Sequence, residues 1–523
     1  MKHMACSSPD RWAATRRQLC RLLLGLCCVL PLVAQTADTG TGTRFTDVER
    51  VVAFGDVHGA YGELVDVLRA AKILDADLHW SGGVTHLVSL GDLLDRGPDS
   101  RQVLDLLMRL QEEAGQAGGR VHVILGNHEV MNLTGDLRYV SAGEFAAFAK
   151  PGDTSESAGH AEHRRAFAPT GHYGEWLLRQ PAMILINDTA FVHGGLSTLA
   201  GTLTPEAMNA RVQATLRDLL SAGAAAHNDG LLADGQDLID AGLRLTKEPA
   251  PVMSPALTTL AHAASESLLG DMGPLWYRGN ALCHPLIEGT RLARTLASIG
   301  ARRVVIGHTP TRTRRVTSRL DDQVIALDTG MLAAVYRGIP SVLRIEDDVL
   351  QVVTATGTDR VYAEQSTAAP ANAAAPPGEQ AARQLDRLLG LDIVDTGQDS
   401  EWLSEGQRQT LGLRRDNTCE AGSDYLLVSV FDALIGNPAR TVDTLGYDRV
   451  TLKLRLKGHE RAFGRGRVIR TAAVAVPPAL RQRLSALTPA TLDAALGSVL
   501  DKRAVRALLQ RRDIIVADWP ELD

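Results

Sequence analysis

Val51-Val52-Ala53-Phe54-Gly55-Asp56-Val57-His58-Gly59 decides the fold. An apolar run of strand composition stops at a glycine, and an aspartate and a histidine follow at once. A helical pattern comes next, with Leu64, Val67, Leu68 and Ala71 at spacings of three and four. The arrangement then recurs. His86-Leu87-Val88-Ser89-Leu90 ends at Gly91-Asp92 and leads into a helical pattern through Val103, Leu104, Leu107 and Leu110, and Val121-His122-Val123-Ile124-Leu125 ends at Gly126-Asn127. This is a βαβαβ unit, which implies parallel strands with right-handed crossovers. The polar residues after each strand then share one edge of the sheet, where sites on α/β sheets form.

The polar residues have a common chemistry. Gly55-Asp56-Val57-His58-Gly59, Gly91-Asp92-Leu93-Leu94-Asp95-Arg96-Gly97 and Gly126-Asn127-His128-Glu129 all fall within residues 55–129, with His193-Gly194-Gly195 and Gly307-His308-Thr309 further on. Each sets a metal ligand beside a glycine, which lets the backbone turn sharply and approach an ion or a phosphate. One such string arises by chance in many chains; this ordered set does not. Mixed nitrogen and oxygen donors suit Mn, Fe, Zn or Co better than Ca. Two divalent cations about 3.5–4 Å apart lower the pKa of a shared water and clamp the oxygens of an in-line displacement. His128 directly follows the ligand Asn127, so it can reach a leaving-group oxygen without binding metal, as a general acid oriented by Asp95. Arg96, next to Asp95, has the planar fork that holds phosphate oxygens.

These segments resemble the GDxHG, GDxxDRG and GNHE motifs of the calcineurin-like metallophosphoesterases, and within them the phosphoprotein phosphatase family. The resemblance implies an α/β fold, the αββα sandwich with helical insertions, followed here by a smaller mixed α/β C-terminal domain. Carried across by residue, it implies Asp56 and His58 on a first metal, Asp92 bridging, and Asn127, His193 and His308 completing the second, with manganese the first expectation for the two divalent ions. Arg278, in Leu275-Trp276-Tyr277-Arg278-Gly279, resembles the family's second phosphate-binding arginine. Asp328-Thr329-Gly330 resembles a loop of bacterial members with a structural role. The Gly-His-Thr motif and the Leu-Trp-Tyr-Arg-Gly string resemble the bacterial, Shewanella-like branch, and the eukaryotic signature loop is absent. The expected activity is hydrolysis of phosphomonoesters by a metal-bridging hydroxide. Its substrates would be phosphorylated proteins, peptides or small phosphomonoesters, with phosphotyrosine preferred. A dinucleoside tetraphosphatase has nearly the same motifs, and export argues against it. A non-catalytic binding module with a relic phosphatase fold would have lost ligands, and none is missing.

Composition bounds the remainder. The 523 residues exceed one compact core, and the net charge of −6 argues against a nucleic-acid partner. Arg16, Arg17 and Arg21 precede an apolar run over 22–34 that is too short to span a bilayer. Residues 1–34 therefore read as a signal peptide, either an ordinary secretory one or, from Thr15-Arg16-Arg17-Gln18-Leu19-Cys20-Arg21, a twin-arginine one. The protein is expected to be periplasmic or secreted, meeting the membrane only through that signal. Residues 35–44 read as a linker, 45–363 as the catalytic domain, 364–380 as an Ala/Pro-rich linker and 381–523 as the C-terminal domain. Cys6, Cys20, Cys27 and Cys28 lie in the signal, leaving Cys283 and Cys419, expected as two isolated thiols.

Helical stretches over 136–180 and 204–269 interrupt the strand pattern and suggest a cap over the site. His160, His163, His172 and His284 lack glycine partners and read as ordinary histidines, and Arg312, Arg314, Arg315 and Arg319 read as a solvated loop, the alternative being a basic cluster that guides an anionic substrate. In the C-terminal domain, Phe431-Asp432-Ala433-Leu434-Ile435-Gly436-Asn437-Pro438-Ala439-Arg440 and Lys457-Gly458-His459-Glu460-Arg461-Ala462-Phe463 resemble kinase catalytic and metal-binding loops. Ala439 and Gly458 stand where the functional aspartates would be. The resemblance implies a degenerate kinase-like lobe; an unrelated α/β domain is the alternative.

Overall fold

The computed structural model describes residues 42–152, 155, 157–250, 252–363, 375–395, 402–404, 407, 419, 423–438, 440–448, 454–469 and 471–522. The signal-peptide reading therefore lies outside the described residues. Among them, no helix is long and apolar enough to cross a membrane.

The strands in chain order are β1 (Arg44–Phe45), β2 (Arg50–Phe54), β3 (His86–Ser89), β4 (Arg120–Val123), β5 (Met183–Ile186), β6 (Thr189–Val192), β7 (Arg303–Ile306), β8 (Thr317–Arg319), β9 (Val324–Ala326), β10 (Ser341–Glu346), β11 (Val349–Thr354), β12 (Gly357–Arg360) and β13 (Tyr362–Ala363). They form a 6-stranded sheet in the order β12-β11-β10-β2-β3-β4 and a 7-stranded sheet in the order β1-β5-β6-β7-β9-β8-β13. The expected βαβαβ unit is present: β2, β3 and β4 are parallel, with Val51 opposite His86 and Leu87 opposite Val121.

Strand alternation explains the layering, because successive side chains point to opposite faces. Val51, Ala53, Val88 and Ile124 face inward, where they meet Ile184, Phe191, Val305 and Ile325 of the other sheet. Val52, Phe54, Leu87 and Val123 face outward and are covered by Leu64, Leu68, Leu104 and Leu107 from the helices Tyr61–Ala70 and Ser100–Gln116. The result is the expected αββα sandwich. Both insertions are helical. The first carries Ala142–Ala146, His160–Phe167 and His172–Leu177; the second carries Pro205–Asn228, Leu238–Lys247 and Pro255–Ala264. The three helices of the second start where Thr204, Asp237 and Ser254 accept backbone N–H groups, which satisfies donors otherwise left unpaired in the first turn.

The C-terminal part contains the helix Pro377–Leu389, the antiparallel strands β14 (Trp402–Ser404), β15 (Leu445–Asp448) and β16 (Leu454–Leu456), and the helices Ser423–Ile435, Pro478–Ser485, Pro489–Leu496 and Lys502–Asp518. Two expectations are corrected here. The linker read over 364–380 ends before Pro377, because proline opens a helix whose Ala381, Ala382, Leu385 and Leu389 are buried at helical spacing. Cys283 and Cys419 form a disulfide, with Cα atoms 5.6 Å apart and a sequence separation of 136. The sequence hid this pairing because the two parts are not separate bodies. Leu286 and Ile287, from the helix Pro285–Ile299, are buried in the same core as Leu385, Phe431, Leu456 and Leu480.

The segments resembling kinase loops hold a buried ion-pair chain. Arg440 donates through Nε to Asp432 Oδ2 at 2.9 Å, its Nη2 lies 3.1 Å from His459 Nε2, and Glu379 binds His459 through both Nδ1 and the backbone N–H. Ala439 lies outside the described residues. Cys419→Ser should lower stability by about 2–4 kcal/mol, the usual worth of a bridge closing a long loop. Calorimetry with and without reductant measures this, and non-reducing peptide mapping should recover Cys283 and Cys419 in one linked pair.

Candidate active site

The site lies at the carboxyl ends of parallel strands from both sheets. Asp56 and His58 follow β2, Asp92 follows β3 and Asn127 follows β4; His193 follows β6, His308 follows β7 and Asp328 follows β9. The structure brings together all the residues read as ligands, and each of them is buried.

Distances define two overlapping groups of candidate donors. His193 Nε2 is 3.0 Å from Asn127 Oδ1, 3.2 Å from Asp92 Oδ1 and 3.2 Å from His308 Nδ1. His58 Nε2 is 3.8 Å from Asp92 Oδ2 and 4.0 Å from Asp56 Oδ2. Asp92 is common to both groups, the position a bridging carboxylate needs. The histidines are aimed by main-chain carbonyls. The His58 Nδ1–H donates to Leu94 O and the His193 Nδ1–H donates to Leu90 O, each at 2.8 Å, which turns Nε2 toward the centre as metal-binding imidazoles require.

The electrostatics agree with a cation site. Burial and the neighbouring Asp328 and Asp92 raise Asp56 well above the usual carboxylate range, and burial brings Asp328 to about 6. Burial lowers His58 to about 3 and lowers His308 strongly, so both present unprotonated nitrogen. At His193 burial is opposed by Asp92, Asp56 and Glu129, which together raise it to about 9. The Nε2 of His193 thus attracts positive charge, and a divalent cation satisfies that field as a proton does. His308 Nε2 is buried without a hydrogen-bond partner. Carboxylate, amide oxygen and imidazole form a donor set that fits divalent transition metals.

His128 is held differently. Its Nδ1 is paired with Asp95 Oδ2 rather than with a carbonyl, and Asp95 Oδ1 accepts from Asn132 Nδ2 at 3.0 Å. His128 Nε2 is also within 3.9 Å of Asp92 Oδ2, so distance alone would admit this ring as a ligand. Its anchor sets it apart: carbonyls aim His58 and His193, whereas a carboxylate holds Nδ1 here, and Asp92 and Asp95 outweigh burial and raise its pKa. Arg96 Nη1 lies 2.6 Å from His58 Nε2, a contact that a cation bound at that nitrogen would have to displace. Arg278 donates to His308 O at 2.8 Å and to Thr309 Oγ1 at 3.1 Å. Both arginines border the donor groups.

Local backbone explains the glycines. A Cβ on Gly126 would stand 2.3 Å from Asp92 Oδ1, and one on Gly307 would stand 2.5 Å from Asp56 Oδ1, so these loops pack on each other's carboxylates. His58, Asp92, Asp95, Arg96 and His308 all have positive φ between 49° and 70°, which non-glycine residues hold only where the surroundings fix them.

Sequence reading passed over several contributors. Glu129 receives the backbone N–H groups of Asp92, Leu93 and Gly126 at 2.8, 2.8 and 2.7 Å and so joins two ligand loops; its place inside the GNHE string was the available signal. Asp328 is a buried neighbour of Asp56 as well as a loop former. The rings of Tyr139 and Tyr336 flank Arg96, with centroids 5.3 and 5.4 Å from its Cζ, and neither sits in a motif or a periodic pattern. Among the arginines read as a solvated loop, Arg319 is instead buried and donates to the carbonyls of Asn280 and Cys283, because it lies on β8 facing that segment.

The family profile described as Calcineurin-like phosphoesterase matches residues 49–312. An uncharacterised protein of Schizosaccharomyces pombe is 30% identical over 319 residues, covering 58% of this chain and 80% of that one. Shewanella-like protein phosphatase 2 of Arabidopsis thaliana is 26% identical over 350 residues, covering 60% and 79%. Among solved structures, a cold-active protein-tyrosine phosphatase of a psychrophilic Shewanella species is 26% identical, with 61% of this chain and 81% of that chain covered and a TM-score of 0.46.

Glu129→Gln should weaken metal affinity roughly 10–100-fold, since its amide nitrogen would face backbone donors. Asp92→Asn should abolish stoichiometric uptake of two ions. Elemental analysis of protein dialysed against graded chelator measures both.

Proposed function

The chain belongs to the calcineurin-like phosphoesterase family, and on that footing we propose that it is an exported phosphatase of the Shewanella-like type, acting on phosphorylated proteins or peptides with phosphotyrosine preferred. One observation carries the reading: Asp56, His58, Asp92, Asn127, His193 and His308 converge beside a histidine paired with a carboxylate and an arginine flanked by aromatic rings. When bound, two divalent ions, manganese foremost, supply an acidified water and neutralise phosphate charge.

The chain's own groups do the remainder. Arg96 and Arg278 hold the non-bridging phosphate oxygens. As the ester bond breaks, His128 Nε2–H gives its proton to the departing oxygen, while Asp95 holds Nδ1 and stabilises the ring. Tyr139 and Tyr336 support an aryl substrate. Their rings stand 5.3 Å from the His128 ring and 5.7 Å from the His58 ring, forming apolar walls on which a phenol ring can pack. The protein-phosphatase name of the Arabidopsis relative supports a protein or peptide substrate. Export is supported by the basic residues and apolar run over 16–34 and by the Cys283–Cys419 bridge, since disulfides persist in oxidising compartments.

With Mn²⁺, kcat/KM should fall in the order phosphotyrosine peptide, phosphoserine peptide, diadenosine tetraphosphate; a tetraphosphate placed first overturns the substrate assignment. His128→Asn should lower kcat on phenyl phosphate by roughly 100-fold or more. Tyr336→Ala should narrow the preference for phosphotyrosine over phosphoserine while leaving metal content unchanged.

A further inference from the structure

Asp95 and Arg96 are consecutive left-handed residues, with φ of 70° and 69°. The first helical insertion holds them there. Arg96 N–H donates to Tyr139 O at 2.9 Å, Ser141 Oγ–H donates to Gly97 O at 2.9 Å, and Asp95 N–H donates to Glu144 Oε2 at 3.1 Å. Glu144 is fully buried, and its helix, Ala142–Ala146, is capped by Ser141, whose Oγ accepts from Glu144 N–H at 3.0 Å. Its second oxygen, Oε1, lies 3.7 Å from His163 Nε2. That imidazole is itself fully buried, enclosed by the rings of Phe145, Phe148 and Phe167.

We propose that Glu144 is a positioning residue for proton donation: through the Asp95 backbone it fixes the carboxylate that orients His128, so the first insertion determines how well the site expels poor leaving groups. The inference rests on the assignment of His128 as the acid. Burial and Asp95 raise Glu144 to about 8, so it stands beside Asp95 as a neutral acid and adds no second anion there. An amide would preserve that contact; a shortened or missing side chain would not.

The test compares phenyl phosphate, whose leaving group needs protonation, with p-nitrophenyl phosphate, whose leaving group does not, in the Mn²⁺-loaded full chain. Glu144→Ala should lower kcat on phenyl phosphate roughly tenfold or more, with far less effect on p-nitrophenyl phosphate and with two metal ions retained. Glu144→Gln should restore near-normal turnover of both. Glu144→Asp, too short to reach Asp95 N, should repeat the Ala pattern in a protein that keeps its packing if the Ala variant does not fold. Equal losses on both esters, or a Gln variant no better than Ala, would overturn the inference. His128→Asn run alongside separates the two layers. If it steepens the leaving-group dependence while the Ala and Asp variants do not, only the role of Glu144 fails; if it does not, the acid assignment fails and the inference with it.

Discussion

Asp92 ties the strand-end loops together with its main chain as much as with its carboxylate. Its carbonyl accepts from the N–H groups of Val57 and His58 at 2.9 Å, its own N–H donates to Glu129, and its Oδ1 accepts from His128 N–H at 3.0 Å. The loops after β2, β3 and β4 are thereby locked to one residue. A ligand shared by two ions must be placed from both sides at once, and its surroundings must withstand the repulsion of Asp56, Asp328 and Glu129 nearby. Burial raises all three of those carboxyls, whereas the histidines around Asp92 outweigh its burial and hold it well below the usual range. The pocket thus keeps its negative charge where both candidate ions would meet.

Holding such a cluster has a conformational cost. Five site residues adopt left-handed backbone, and the glycines beside them leave no room for a Cβ. Unfavourable conformations of this kind persist only when neighbours over-determine them. Here the neighbours come from outside the sandwich. Residues 139–144 of the first insertion clamp Asp95 and Arg96, and the same segment supplies one of the tyrosines beside that arginine. An element that resembles a cap in sequence is also part of the support beneath the His128–Asp95 pair.

Arg278, the other arginine bordering the donor groups, is anchored from a different direction. Tyr277 OH and Asn280 Nδ2 both donate to the buried Glu288, and Asn280 Oδ1 accepts from Leu196 N–H, which pins the turn that carries Arg278. Cys283 then bonds this turn to Cys419, and the following helix contributes Leu286 and Ile287 to the C-terminal core. The C-terminal part therefore bears on the segment that positions Arg278, although its own ion-pair chain around Arg440 is fully engaged internally.

Much of the site was legible in the chain itself. Apolar runs ending at glycine-flanked Asp, Asn and His specify strand, turn and ligand together, because strand alternation and the need for close approach act over a few residues. The βαβαβ order, the identities of the donors and the pairing of His128 with Asp95 follow from that local grammar and from the family resemblance it supports. Tertiary structure alone decided what depends on residues distant in sequence: Tyr139 and Tyr336 on either side of Arg96, Glu144 beneath Asp95, the burial of Arg319 and the joining of Cys283 to Cys419. None of these has a local signature, since a lone tyrosine, glutamate or cysteine reads the same whether it faces water or a neighbour. The sequence by itself determined the chemistry of the site, through residue types at fixed local spacing; only long-range packing decided what surrounds that chemistry and holds it in place.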